Sequence, residues 1–337
     1  MQLFSVACLA MAGALLAPTA SATGIGPSGG RTPGSLLIYP VHSSGMYSFT
    51  ILNVTNTNLQ PSTPISLGGS TNIKFEYVNV ERNEDNRFLP LGCQIFDKVE
   101  VLTPADTLSV LTGCHNADGF LPAYNDDDPV GDSNGAEGYV VITAQDPTQV
   151  DLAWSHNYLI GSELVLTSTG ISYSLNAIPF DSLREPGTPS QRPGDIQRRF
   201  DGQAYSPVAD EMYIDSFLGI SESYLALVNL TGTPQDTNSL HFSIYNDNER
   251  PMSTTLEFKC WFNQKLGRIS NLFSAEYLAY LDNDPRELDV TCDRVGDVET
   301  GWAKIDSTGV RSPGGYLITN DGAFVGAVSA GYESNLS

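Results

Sequence analysis

Two stretches decide the fold: Phe49-Thr50-Ile51-Leu52-Asn53-Val54-Thr55-Asn56-Thr57 and Leu225-Ala226-Leu227-Val228-Asn229-Leu230-Thr231-Gly232-Thr233. Without a gap they share an apolar run, an Asn, and Thr residues two and four positions later. Upstream at the same offset, Ser35–Tyr39 faces Glu211–Asp215. Downstream, Ile73–Asn79 faces Leu240–Asn246, with Phe75 on Phe242 and Asn79 on Asn246. Carried on ungapped, that frame sets Cys93 on Cys260. Leu108–Cys114 then resembles Leu288–Cys292, Gly138-Tyr139 matches Gly301-Trp302, and Ile160-Gly161-Ser162 matches Val325-Gly326-Ala327. The anchors keep one order, and each copy is far longer than a solenoid unit, so the pattern reads as a domain duplication.

The apolar residues alternate or run for four to eight positions between Gly, Asn and Asp clusters, which is the signature of short strands. Strands are expected at 35–41, 47–54, 72–80, 95–102, 107–112, 138–144, 150–154, 158–167 and 171–178. The second set is 211–217, 223–230, 239–245, 255–262, 287–291, 301–305, 315–319 and 323–330. Only 271–281 has helical character. The expectation is an all-β protein of two tandem, duplicated β-sandwich domains, at 35–180 and 208–332, joined by a Pro- and Arg-rich linker at 181–207. Pro186, Pro189 and Pro193 keep the linker out of a sheet interior, and its arginines are read as an ordinary solvated connector.

The 337 residues and about 150 residues per domain agree with two domains. The 39 acidic against 17 basic side chains, net charge −22, argue against nucleic acid or an anionic lipid surface as partner. Residues 1–22 read as a secretory signal peptide: Leu3–Ala17 is uncharged and apolar or small, and Ala20-Ser21-Ala22 fits a cleavage site, although Met1-Gln2 brings no positive charge. Residues 23–34 read as a flexible N-terminal segment and 333–337 as a tail. No later run is long and apolar enough for a spanning helix, so membrane insertion is not expected and the location is secreted, periplasmic or extracellular. With Cys8 in the signal, Cys93, Cys114, Cys260 and Cys292 remain, and the duplication implies one bridge per copy, Cys93–Cys114 and Cys260–Cys292.

The stretch Asp126–Glu137 concentrates hard oxygen ligands. On a twelve-position calcium loop, Asp126, Asp128, Asn134 and Glu137 fall at ligand positions, with Asp132 between them and Gly131 at the turn. Val130 and Pro129 depart from the pattern, and the flanks are strand-like. Calcium is the one candidate cofactor, with a solvated acidic loop as the plainer reading. The four histidines lack zinc-ligand spacing, and no Walker-A phosphate loop and no dinucleotide glycine motif after a βα unit occurs. Of the three tryptophans, Trp261 and Trp302 are assigned to core packing. Trp154, with Tyr158, is the ligand-binding candidate. Negative chemistry on a stapled β scaffold implies an exported, non-enzymatic protein acting through binding, adhesion or assembly, with a protein or glycan partner or a second copy. The alternative is a carbohydrate-binding module or glycan-acting enzyme with a calcium-stabilised loop. An aromatic row on an exposed sheet face would favour that alternative; an exposed apolar edge or patch would favour the first.

Overall fold

The computed structural model describes residues 32–44, 48–81, 92–116, 136–149, 151–167, 172–191, 198–209, 211–219, 223–246, 250–280 and 299–330. The expected signal peptide lies outside them. Strands β1 (Leu36–Ser44), β2 (Ser48–Asn56), β3 (Thr71–Glu81), β4 (Gly92–Leu102), β5 (Thr107–Leu111), β6 (Ala136–Gln145), β7 (Leu159–Thr167), β8 (Ser172–Asn176) and β9 (Ile178–Phe180) form one antiparallel sheet. Its order is β4-β3-β6-β1-β2-β7-β8, with β5 on β2 and β9 on β1. β1 and β2 meet through the Ser44–Phe49 pair. Leu37, Tyr39, Leu52, Val54, Ile73, Phe75, Tyr77 and Ile142 of this sheet pack into one core.

The rest of the chain supplies β10 (Glu211–Leu218), β11 (Ser223–Asn229), β12 (Thr237–Asn246), β13 (Pro251–Lys259), β14 (Trp261–Lys265), β15 (Thr300–Arg311), β16 (Leu317–Thr319) and β17 (Phe324–Ala330). They make two antiparallel sheets, β10-β15-β12-β13 with β16 on β15, and β14-β11-β17. Ile214, Leu225, Leu227, Phe242, Ile244, Phe258 and Ile305 pack between them. The expected helix at 271–281 is a 3₁₀ turn (Asn271–Phe273) and a short α-helix (Ala275–Tyr280), contributing Phe273 and Leu278 to this core. Among the described residues no helix is long and apolar enough to cross a membrane.

The order β4-β3-β6-β1 recurs as β13-β12-β15-β10, and β5-β2-β7 as β14-β11-β17. The register recurs as well. Asn79 pairs with Gly138 and Asn246 with Gly301, each glycine beside a β-bulge, at Tyr39/His42 and at Ile214/Phe217. A Cβ on Gly138 would overlap the Val78 carbonyl, and one on Gly301 the Tyr245 carbonyl, so side chains are excluded at both positions. Phe75 and Phe242 are both fully buried.

A third core joins the two parts. One face of the β3-β6-β1 arm presents Leu36, Ile38, Val41, Val78, Tyr139 and Val141, and the outer face of β14-β11-β17 presents Ala226, Val228, Trp261 and Val325 against them. β1 therefore has both faces covered, Leu36 and Ile38 toward this core and Leu37 and Tyr39 toward the first. That explains why its sequence runs apolar rather than alternating. The stretch expected as a solvated linker contributes Phe200, Ala204 and Tyr205 to the same core, and Arg198 pairs with Glu76. Trp261 Nε1 donates to Pro40 O at 2.7 Å, buried between the two parts.

The disulfide corrects the expected pairing of Cys93 with Cys114 and of Cys260 with Cys292. Cys93 is bonded to Cys260, with Cα atoms 6.6 Å apart. Among the described residues Cys114 is free and exposed, and Cys292 lies outside them. The ungapped frame fails because the hairpins differ in length: residues 82–91 separate β3 from β4, but only 247–250 separate β12 from β13. Cys93 consequently begins β4 opposite Val80, whereas Cys260 follows the end of β13, next to Lys259 opposite Thr237. The two cysteines are not equivalent positions at all. The Asn53–Asn229 match slips similarly. Asn229 Oδ1 accepts from Thr231 N at 3.1 Å, and it is Asn56 that does the same, from Asn58 N at 3.0 Å.

Candidate functional site

The strand registers allow the outer sheet of the second part to be compared with its counterpart, position by position. Val78 opposite Tyr139 corresponds to Tyr245 opposite Trp302. Ile38 opposite Val141 corresponds to Tyr213 opposite Lys304, and Leu36 opposite Thr143 to Glu211 opposite Asp306. In the first part these side chains fill the shared core. In the second, nothing among the described residues covers the face: Trp302 is 38 % exposed and Tyr213 53 %. The assignment of Trp302 to core packing is thereby corrected. It occupies the strand position of buried Tyr139, but no sheet among the described residues lies over it. Trp261 is buried, as expected.

The open face is ordered by its own side chains. The Tyr245 and Trp302 rings are parallel, 4.2 Å between centroids and 8° between planes. Such a pair contributes about 0.5–1.5 kcal/mol beyond area burial. Lys304, two residues along β15, pairs with Glu211 and lies 3.4 Å from Asp306. Tyr213 Oη donates to Glu211 Oε2 at 2.6 Å. The bonds from Lys304 and Tyr213 hold the Glu211 carboxyl below the usual carboxylate range. The Glu211 carboxylate in turn raises both the Tyr213 hydroxyl and the Lys304 ammonium. Ser243, Ser253, Thr255 and His241 complete the rows on β12 and β13. The face carries the Tyr245–Trp302 stack at one end and the Glu211–Lys304–Asp306 group at the other, with these polar groups bonded to one another.

Of the residues singled out from the sequence, those that are described lie on other strands and loops. Asp126, Asp128, Asp132 and Asn134 lie outside the described residues; Glu137 is in β6, paired with Ser43. Trp154 is half-buried in a bridge to Pro189, far from a flat platform. Tyr158 is 42 % exposed, and its ring packs on His156 at 5.1 Å. The signal for the open face was present in the strand alternation: Glu211, Tyr213, Lys304 and Asp306 are polar or aromatic where the matching positions are Leu36, Ile38, Val141 and Thr143.

A second group of polar residues runs from inside the first part to the half-buried Glu100. Tyr77 Oη and His115 Nδ1 are 2.7 Å apart, and His115 Nε2 is 3.3 Å from Glu100 Oε1. Tyr77 is fully buried, so its hydroxyl is closed to a substrate from solvent. Glu163 is fully buried on β7, with Oε1 accepting from Val41 N at 3.2 Å. Burial pushes its pKa well up. Burial pushes His42 down to about 4, against a smaller opposing pull from Asn79, and also lowers His156 to about 4. Burial thus favours the neutral forms of Glu163, His42 and His156. No family model, curated protein or solved structure matches the chain.

Proposed function

We propose that the protein is an exported, non-enzymatic binding protein built by duplication of one β-sandwich unit, with the open face of β10-β15-β12-β13 as its binding surface. The observation that carries this is the contrast between equivalent positions. Leu36, Ile38, Val78, Tyr139 and Val141 are buried against a neighbouring sheet, while Glu211, Tyr213, Tyr245, Trp302 and Lys304 hold the same places with no described residue over them. An aromatic pair kept on an uncovered face costs solvation and contributes little to folding, which is the economy of a recognition surface. The recurring strand order supports the duplication, and the disulfide suits an oxidising compartment.

The test is retention. Immobilised wild-type protein should hold material from the cell envelope or medium that the triple variant Tyr213→Ser, Tyr245→Ser, Trp302→Ser does not. Equal retention by the two proteins removes the face from consideration.

A further inference from the structure

We infer that the ligand of the open face is a carbohydrate, an inference that rests on the reading of that face as the binding surface. A pyranose ring has one or two faces of C–H groups and a rim of hydroxyls. It therefore needs a rigid apolar plane beside donors and acceptors that are fixed in advance. Trp302 provides the plane: Tyr245 is stacked on one face of the indole, and the residue remains 38 % exposed. The stack fixes the ring before any ligand arrives, so little side-chain freedom is lost on binding.

The rim partners are equally prepared. Glu211, Tyr213, Lys304 and Asp306 are bonded to one another on the same face, and each retains capacity for a hydroxyl. The Lys304 ammonium has three donors, and a carboxylate has about four acceptor sites. Hydroxyls are both donor and acceptor, so a sugar rim satisfies cation and carboxylate together, with charge-assisted bonds to both.

The charge pattern decides against other occupants. A cationic ligand on the indole would meet Lys304 two positions away on the same strand and face. An anionic ligand would meet Glu211 and Asp306. An apolar protein face, or a second copy of a chain with net charge −22, would have to strip water from three charged groups. A neutral, polyhydroxylated ligand with an apolar face meets none of these costs.

The experiment uses the full chain and a panel of soluble hexasaccharides: β-1,4-glucan, chito-, xylo- and manno-oligosaccharides, and an α-1,4-glucan. Binding is read by tryptophan fluorescence and by calorimetry. Choline and a lysine-rich peptide are run in parallel. At least one oligosaccharide should bind the wild type, and Trp302→Ala should weaken it at least about tenfold. Trp302→Phe should recover part of the loss, and Lys304→Met should weaken binding severalfold. An unchanged thermal midpoint shows that Trp302→Ala is folded. No binding by any oligosaccharide, or binding indifferent to Trp302→Ala, overturns the inference. Choline or the peptide binding in a Trp302-dependent way, with the sugars silent, overturns the carbohydrate class but keeps the face. If envelope retention also ignores the triple variant, the reading of the face itself has failed.

Discussion

Tyr139 and Trp302 stand at one position of one strand pattern, yet the first is buried and the second meets solvent. Each lies on the strand beside its bulge glycine, Gly138 or Gly301, and each faces the neighbouring strand at the same register, Val78 or Tyr245. Local structure is the same; what differs is whether another sheet lies above. Tyr139 belongs to the core that also holds Ala226, Val228 and Val325. The lesson is that alternation fixes which side chains share a face, while coverage of that face is a tertiary fact.

The strongest way to break the comparison is to exchange residues across it. Val141→Lys puts the open-face residue into the covered position, where an unpaired ammonium is forced into an apolar core. The expected loss is about 4 kcal/mol or more, visible as a collapse of the denaturant midpoint. The reverse exchange, Lys304→Val, should stay within about 0.5 kcal/mol. Comparable losses for the two would mean that the second face is covered after all.

Next in size is the bond between the parts. Replacing Cys93 and Cys260 together by Ala should cost about 2–5 kcal/mol, while Cys114→Ser leaves the unfolding curve in place. Non-reducing peptide mapping should recover Cys93 linked to Cys260. A Cys93–Cys114 peptide would restore the one-bridge-per-unit arrangement and undo the account of the shared core.

The smallest expected effect sharpens the comparison at the bulges, where His42 corresponds to Phe217, opposite Gly138 and Gly301 respectively. Folding lowers the His42 pKa from 6.5 to about 4. The unfolded chain therefore binds the proton first as pH falls. The stability held above pH 6.5 is lost progressively down to about pH 4, by about 3 kcal/mol at most. His156 adds a loss in the same window, while Glu163, raised on folding, acts in the opposite sense: its contribution is full below pH 4.5 and fades as pH rises. Because those terms are common to both proteins, His42→Phe should flatten the difference in stability between pH 6.5 and 4. Parallel wild-type and variant curves would show that His42 is not the group responsible.

Much of the architecture was legible because β residues carry a two-residue period. Phe75 and Phe242 were matched from sequence, and both lie at corresponding core positions. The cysteines were mismatched because hairpin length leaves no periodic mark: the same apparent frame spans residues 82–91 in one hairpin and 247–250 in the other. Residues 255–262 read as one strand, yet the chain breaks at Cys260, where φ is +53°, and passes from one sheet to the other. For the open face, the polar and aromatic residues at alternate positions of β10 and β15 held the information. It becomes readable only once the correct register sets Glu211 against Leu36 and Lys304 against Val141.

The Cys93–Cys260 link, spanning 167 positions, also orders events during biosynthesis. Cys93 leaves the ribosome first, Cys114 soon after, and Cys260 far later. In an unfolded chain the shorter Cys93–Cys114 loop closes more readily, by roughly tenfold or more from chain entropy. The native link therefore cannot win by proximity along the chain. It wins when β13 and β14 have formed and laid Cys260 against β4, so oxidation follows assembly of the shared core and then locks it. A Cys93–Cys114 bond made before that stage has to be exchanged for the native one.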